Sequence, residues 1–112
     1  MPNNNPKIIS LETYRVKGSK VFTGRDRGEY VRKQSKLDEA ELEFENITIQ
    51  VPTDIYTINP SFLEEFLLNV VSKLGKERFL AKFHFDNPGD YKIEKSLNEA
   101  IDRILRTKNA LV

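Results

Sequence analysis

Ile47-Thr-Ile-Gln-Val51, Pro52-Thr-Asp54, Ile55-Tyr-Thr-Ile58, Asn59-Pro60-Ser61 and the run from Phe62 to Gly75 form the stretch that decides the fold. The first five residues alternate apolar and polar, with β-branched side chains on the apolar positions. That pattern fits a strand with one buried face. Pro52 ends it, residues 55–58 are a short apolar continuation, and Asn59-Pro60 marks a stop and a helix start. Phe62, Leu63, Phe66, Leu67, Val70, Val71 and Leu74 then recur at helical spacing. The spacing predicts one helix over residues 61–74. Ser61 is its expected N-cap, with Glu64 completing a capping box, and Gly75 is its expected C-terminal stop.

Working outward, Leu80-Ala-Lys-Phe83-His84-Phe85 reads as the next strand, closed by the turn residues Asp86-Asn87-Pro88-Gly89-Asp90. Ile93, Leu97, Ala100, Ile101, Ile104 and Leu105 give a second helical stripe running to about Arg106. Upstream, residues 8–11 are a candidate first strand or a loose lead-in. Residues 14–16 and 20–23 flank Lys17-Gly18-Ser19 as an expected hairpin. A helix is expected to open near Gly24-Arg25-Asp26-Arg27-Gly28. The acidic stretch 38–45, in which Leu42 and Phe44 alternate with acids, reads as a strand edge or a connecting loop.

The resulting order is hairpin, helix, strand, helix, strand, helix. It predicts one α/β domain over residues 7–106, with a small mixed sheet of four to five strands and helices mainly on one face. Residues 1–6 read as a disordered polar tail and residues 107–112 as a fraying end.

Composition narrows the function classes. The chain has 112 residues, the size of one domain, and no cysteine, so disulfides and thiolate metal sites are excluded. Eighteen basic residues stand against seventeen acidic, which gives no global pull toward nucleic acid or an anionic membrane. No long apolar run or secretory leader is visible, so a cytoplasmic location without a membrane span is expected. The neutral total hides a local dipole. From Lys17 to Lys36, seven bases face two acids, a net of +5, whereas residues 38–45 hold five acids and no base. Two solvated faces that partly pair are the simplest account.

These residues also carry a resemblance. Phe22-Thr-Gly-Arg25-Asp-Arg-Gly28, Ile47-Thr-Ile-Gln-Val51, Ile58-Asn-Pro-Ser61-Phe-Leu63-Glu-Glu-Phe66 and Leu74-Gly75-Lys-Glu-Arg-Phe79 resemble the STAS-like family of small bacterial proteins. The resemblance implies a fold related to the STAS domain of anti-sigma factor antagonists. It also implies a binding role, often beside a partner ATPase or kinase. Over the Asp-Ser-Ser-Gly motif of those antagonists, Asn59 takes the aspartate position, Pro60 the first serine, Ser61 the phosphorylated serine and Phe62 the glycine. Only the phosphorylated serine is retained here.

The expected function is therefore a non-enzymatic regulatory or scaffolding module that binds a protein partner in bacterial signalling. Asn59, Pro60, Ser61, Phe62 and Glu64 form the expected contact turn, with Ser61 as its phosphorylation site. Arg25 and Arg27 supply charge to the partner. No metal or cofactor is expected. Two alternatives stand beside this: a phosphate- or nucleotide-binding protein using helix N-termini with Arg25 and Arg27, and a homodimer formed through an exposed strand edge. The Gly24-to-Gly28 segment lacks the endings of the known phosphate-loop fingerprints. Nucleic acid is disfavoured, because no known reading motif accompanies the basic segment. The single histidine, His84, has no cysteine or second histidine for zinc. Asp54, Asp86 and Asp90 are explained as turn residues.

Overall fold

A computed structural model describes residues 5–110. Strand β1 (Lys7–Ser10) leads into a 3-10 turn (Leu11–Tyr14), and β2 (Val21–Phe22) into helices α1 (Arg25–Ser35) and α2 (Leu37–Glu43). Strands β3 (Ile47–Gln50) and β4 (Thr57–Ile58) precede α3 (Pro60–Phe66) and α4 (Leu68–Lys82). Strand β5 (Phe83–Asp86) and α5 (Glu94–Ala110) complete the chain.

The α/β class is as expected; the sheet is not. Among the described residues five strands form two sheets, a three-stranded β1-β3-β5 and a two-stranded β2-β4, and every pairing is parallel. In the larger sheet Ile9, Ile47, Ile49 and Phe83 are buried. Their chain neighbours Ile8 and His84 are exposed, and Thr48 is half-buried. The period of two therefore turns one face to the core and leaves the other to solvent.

The expected hairpin does not form. Residues 11–14 coil into the 3-10 turn, and Val21 and Phe22 pair instead with Thr57 and Ile58. The reason is burial: Phe22 and Ile58 are both sealed in the core, so the short strands must point the same side chains inward. Most of the acidic stretch, to Glu43, is helix rather than strand edge or loop, and Phe44 is extended. Leu37, Ala40 and Glu41 lie three and four residues apart and are buried, whereas Leu42 faces solvent. Lys36 takes the left-handed conformation (φ 55°) between α1 and α2 and donates its backbone N–H to the Arg32 and Lys33 carbonyls, closing α1.

The single helix expected over residues 61–74 is divided. Leu67 leaves helical geometry (φ −99°, ψ 2°) between α3 and α4. Gly75 (φ 78°) interrupts α4 as foreseen, but the helix resumes and continues to Lys82. Residues 80–82, read as strand, are helical; β5 begins only at Phe83, whose ring stacks on Phe79 at 4.7 Å. Residues 107–110 continue α5 rather than fray, and residues 111–112 lie outside the described residues, as do residues 1–4 of the expected tail.

Helix α3 packs against both α1 and α5. The α1–α3 approach depends on Gly28: a Cβ there would stand 2.3 Å from the Phe62 carbonyl oxygen. Phe62 fills the core between Phe22 (5.2 Å) and Phe66 (5.7 Å). No helix among the described residues is long and apolar enough to cross a membrane.

Candidate functional site

The Asn59-Pro60-Ser61 turn joins β4 to α3, and its geometry follows from the order of those three residues. Pro60 is preset for the first helical position, and the residue before a proline is held extended. Asn59 is extended accordingly (φ −72°, ψ 141°). From there its Oδ1 accepts from the Ser61 backbone N–H at 2.9 Å and from the Ser61 hydroxyl at 2.9 Å. Asn59, not Ser61, is thus the N-cap. Ser61 lies two positions past the cap, inside the first turn, and its hydroxyl donates to the cap instead. No capping box forms, because Glu64 points elsewhere.

Glu64 is buried and receives two arginines. Arg25 Nη2 lies 3.4 Å from its Oε1, and Arg103 Nη1 of α5 lies 3.2 Å from its Oε2. Both arginines remain about half exposed. Glu64 therefore ties the starts of α1 and α3 to α5 rather than shaping the turn. Arg103 was not singled out from the sequence. Its only local mark is Glu99 one helical turn earlier, 3.8 Å away, which is ordinary surface patterning.

The structure brings Arg25, Asn59 and Ser61 to one side of the molecule. The Asn59 N–H donates to the Phe22 carbonyl (2.8 Å), and Thr23-Gly24-Arg25 follow directly. Arg27 is engaged by other partners. Its Nη2 donates to the Tyr14 carbonyl and its guanidinium lies 4.5 Å from the Tyr30 ring centre, so it anchors the preceding loop. Phe62 is fully buried and offers a partner no surface. An open cleft of about 640 Å³ lies beside Arg25, lined by Thr23, Gly24, Arg25, Asp26, Arg27 and Tyr30.

The charge dipole seen in the sequence is matched only in part, and the pairs that match it reach into other segments or stay within one half. Lys33 pairs with Glu29, Arg32 with Glu65 and Arg25 with Glu64. Of the acidic segment, Glu41 takes Lys73 (2.6 Å) and Lys82 (2.8 Å) from α4. Burial pushes the Glu41 carboxyl up, but the hydrogen bonds from those two lysines outweigh it and hold it below the usual carboxylate range. His84 stands on the open sheet face, 3.3 Å from the Asn46 side-chain oxygen. Among the described residues no three histidine or carboxylate groups converge to hold a metal.

Comparison of this chain with family models, with curated proteins and with solved structures finds no match.

Proposed function

We propose that this chain is a non-enzymatic regulatory or scaffolding module. It binds a protein partner through the Asn59-Pro60-Ser61 turn and the adjoining start of α1. The observation that carries the reading is the Asn59 cap, which holds the Ser61 hydroxyl in a defined place on the side of the molecule that also presents Arg25. The STAS-like resemblance supplies the partner class, an ATPase or kinase of bacterial signalling, and makes Ser61 the switch.

The hydrogen bond gives that switch a mechanism. Ser61 now donates to Asn59 Oδ1. A phosphoserine has only acceptor oxygens there, so the Asn59 side chain must turn away and the cap of α3 must rearrange. The test is affinity capture from extract of the native host, comparing wild type with Ser61→Ala and Ser61→Asp. The expected result is one partner retained by wild type and Ser61→Ala and lost by Ser61→Asp. Equal retention by all three, with no phosphate on Ser61 of protein isolated from the host, overturns the switch.

The cleft beside Arg25 supports a second reading, phosphate or nucleotide binding at the start of α1. Calorimetry with a nucleotide panel distinguishes it: tight binding abolished by Arg25→Ala establishes this reading over the first.

A further inference from the structure

Beyond the Asn59-Pro60-Ser61 turn, three of the seven large apolar side chains exposed among the described residues lie on or next to the β2–β4 pair in the chain. Val16, Val21 and Tyr56 are 55%, 39% and 74% exposed. They share one scaffold. Val21 pairs in register with Thr57, the Tyr56 N–H donates to the Lys20 carbonyl (2.7 Å), and the Ser19 N–H donates to the Val16 carbonyl (2.9 Å). The loop between them is built rather than loose. Arg15, itself largely buried, donates twice to the Ser19 carbonyl (3.1 and 2.8 Å) and pairs with Glu12 (2.6 Å) and Asp54 (2.9 Å). A surface ordered before binding loses little entropy when a partner arrives.

The charges around this apolar centre have one sign to spare. Lys20 lies 5.4 Å from the centre of the Tyr56 ring. Neither Lys17 nor Lys20 has a carboxylate in ion-pair range among the described residues, whereas Glu12 and Asp54 are both engaged by Arg15. An exposed tyrosine with a lysine at its ring that has no ion pair, beside exposed valines, is the anatomy of a protein contact that lacks its carboxylates.

We propose that this surface docks an acidic segment of a partner protein. An apolar side chain of the segment packs on Tyr56 and Val21, and flanking carboxylates pair with Lys17 and Lys20. The inference rests on the protein-binding reading above but uses different residues, so the two fail separately. Charge decides against nucleic acid. Arg15, Lys17, Lys20, Arg25 and Arg27 against Glu12, Asp26 and Asp54 are five bases against three acids, leaving +2. That neutralises about two phosphates of a single strand, a small fraction of what such binding uses. Tyr56 offers a single ring, and Val16 and Val21 offer none, so there is no run of rings on which successive bases could stack.

The test selects a random-peptide phage library on the immobilised full chain, with counter-selection on Tyr56→Ala. Enrichment of Asp and Glu beside Leu, Ile or Phe is expected. A synthetic peptide from the selection, labelled and followed by anisotropy, is expected to bind about tenfold more weakly to Tyr56→Ala and to the Lys17→Glu/Lys20→Glu double variant. Its affinity is expected to fall with added salt and to be unchanged by Ser61→Asp. All these positions are on the surface, and unchanged thermal melts verify the fold of each variant. Selected peptides without acidic enrichment, or binding indifferent to both variants, overturn the proposal. So does a labelled oligothymidine that binds more tightly than the peptide and displaces it.

Discussion

At the α1–α3 contact a side chain is missing; at the α2–α4 contact a charge is buried. Gly28 lets the α1 backbone approach α3 so closely that no Cβ fits against the Phe62 carbonyl. The charges there are long pairs, Glu64 with half-exposed Arg25 and Arg103, and Arg32, largely buried, with Glu65 at 3.5 Å. Across α2–α4 the order is reversed. Glu41 is nearly sealed and held at short range by Lys73 and Lys82, and Asp38 accepts from the Asn69 amide at 2.8 Å. The first contact is fixed by shape and leaves Arg25 accessible at the start of α1. The second is fixed by charge, with Glu41 held by both lysines. Burying a charge is tolerated only where it is fully matched, which suits a latch and not a docking surface.

Substitutions at each contact test that difference, and the largest effect is expected at Gly28. Gly28→Ala gains about 1 kcal/mol of helix propensity but must push α1 off α3. Overpacking of that kind is expected to leave a net loss of about 2–3 kcal/mol in urea unfolding. A variant as stable as wild type would show that the close approach is dispensable.

Glu41→Gln comes next. It leaves Lys82, mostly buried, without its counter-charge. Removing one partner of a fully buried pair costs roughly 3–5 kcal/mol, and the half-exposed Lys73 reduces the expectation to about 1–2 kcal/mol. The pH dependence has a definite sign. The folded carboxyl titrates below its usual value of 4.5, so its contribution is complete above that pH and is lost as pH falls through the lowered value. The urea midpoint of wild type should decline on acidification below about pH 4.5, and Glu41→Gln should flatten part of that decline. Parallel profiles for the two proteins would remove Glu41 from the latch.

The smallest effect belongs to the turn. Asn59→Ala deletes the cap of α3 at an expected loss of about 1 kcal/mol, while Ser61→Ala, which removes only a donor to that cap, should lose less. The reverse ranking, read from thermal melts, would return the cap to Ser61.

Much of this was legible locally. The stripes of α3, α4 and α5 and the strands β1, β3 and β5 are written in side-chain period, which needs no knowledge of the rest of the chain. The start of α1 and the turn at Asn59-Pro60 were read from the residue types that permit them. The candidate turn was located, yet its internal roles were misassigned. Which of Asn59 and Ser61 caps α3 depends on the backbone angles Pro60 imposes, and Glu64 was drawn away by Arg25 and Arg103 from other helices. The α2 helix escaped notice because Leu42 and Phe44 mimic a period of two, while its true inner face includes a carboxylate that only Lys73 and Lys82 make tolerable.

By itself, then, the sequence determined an α/β chain, most of its helices and strands, the turn before Phe62 and the absence of any disulfide. Tertiary structure decided how the strands divide into a three-stranded and a two-stranded parallel sheet, why Gly28 must be glycine, and which cations are left unmatched beside Tyr56. The reason is the range of the forces involved. Period and backbone preference act between near neighbours in the chain, whereas sheet pairing, close approach and charge matching join residues that meet only when the core has formed.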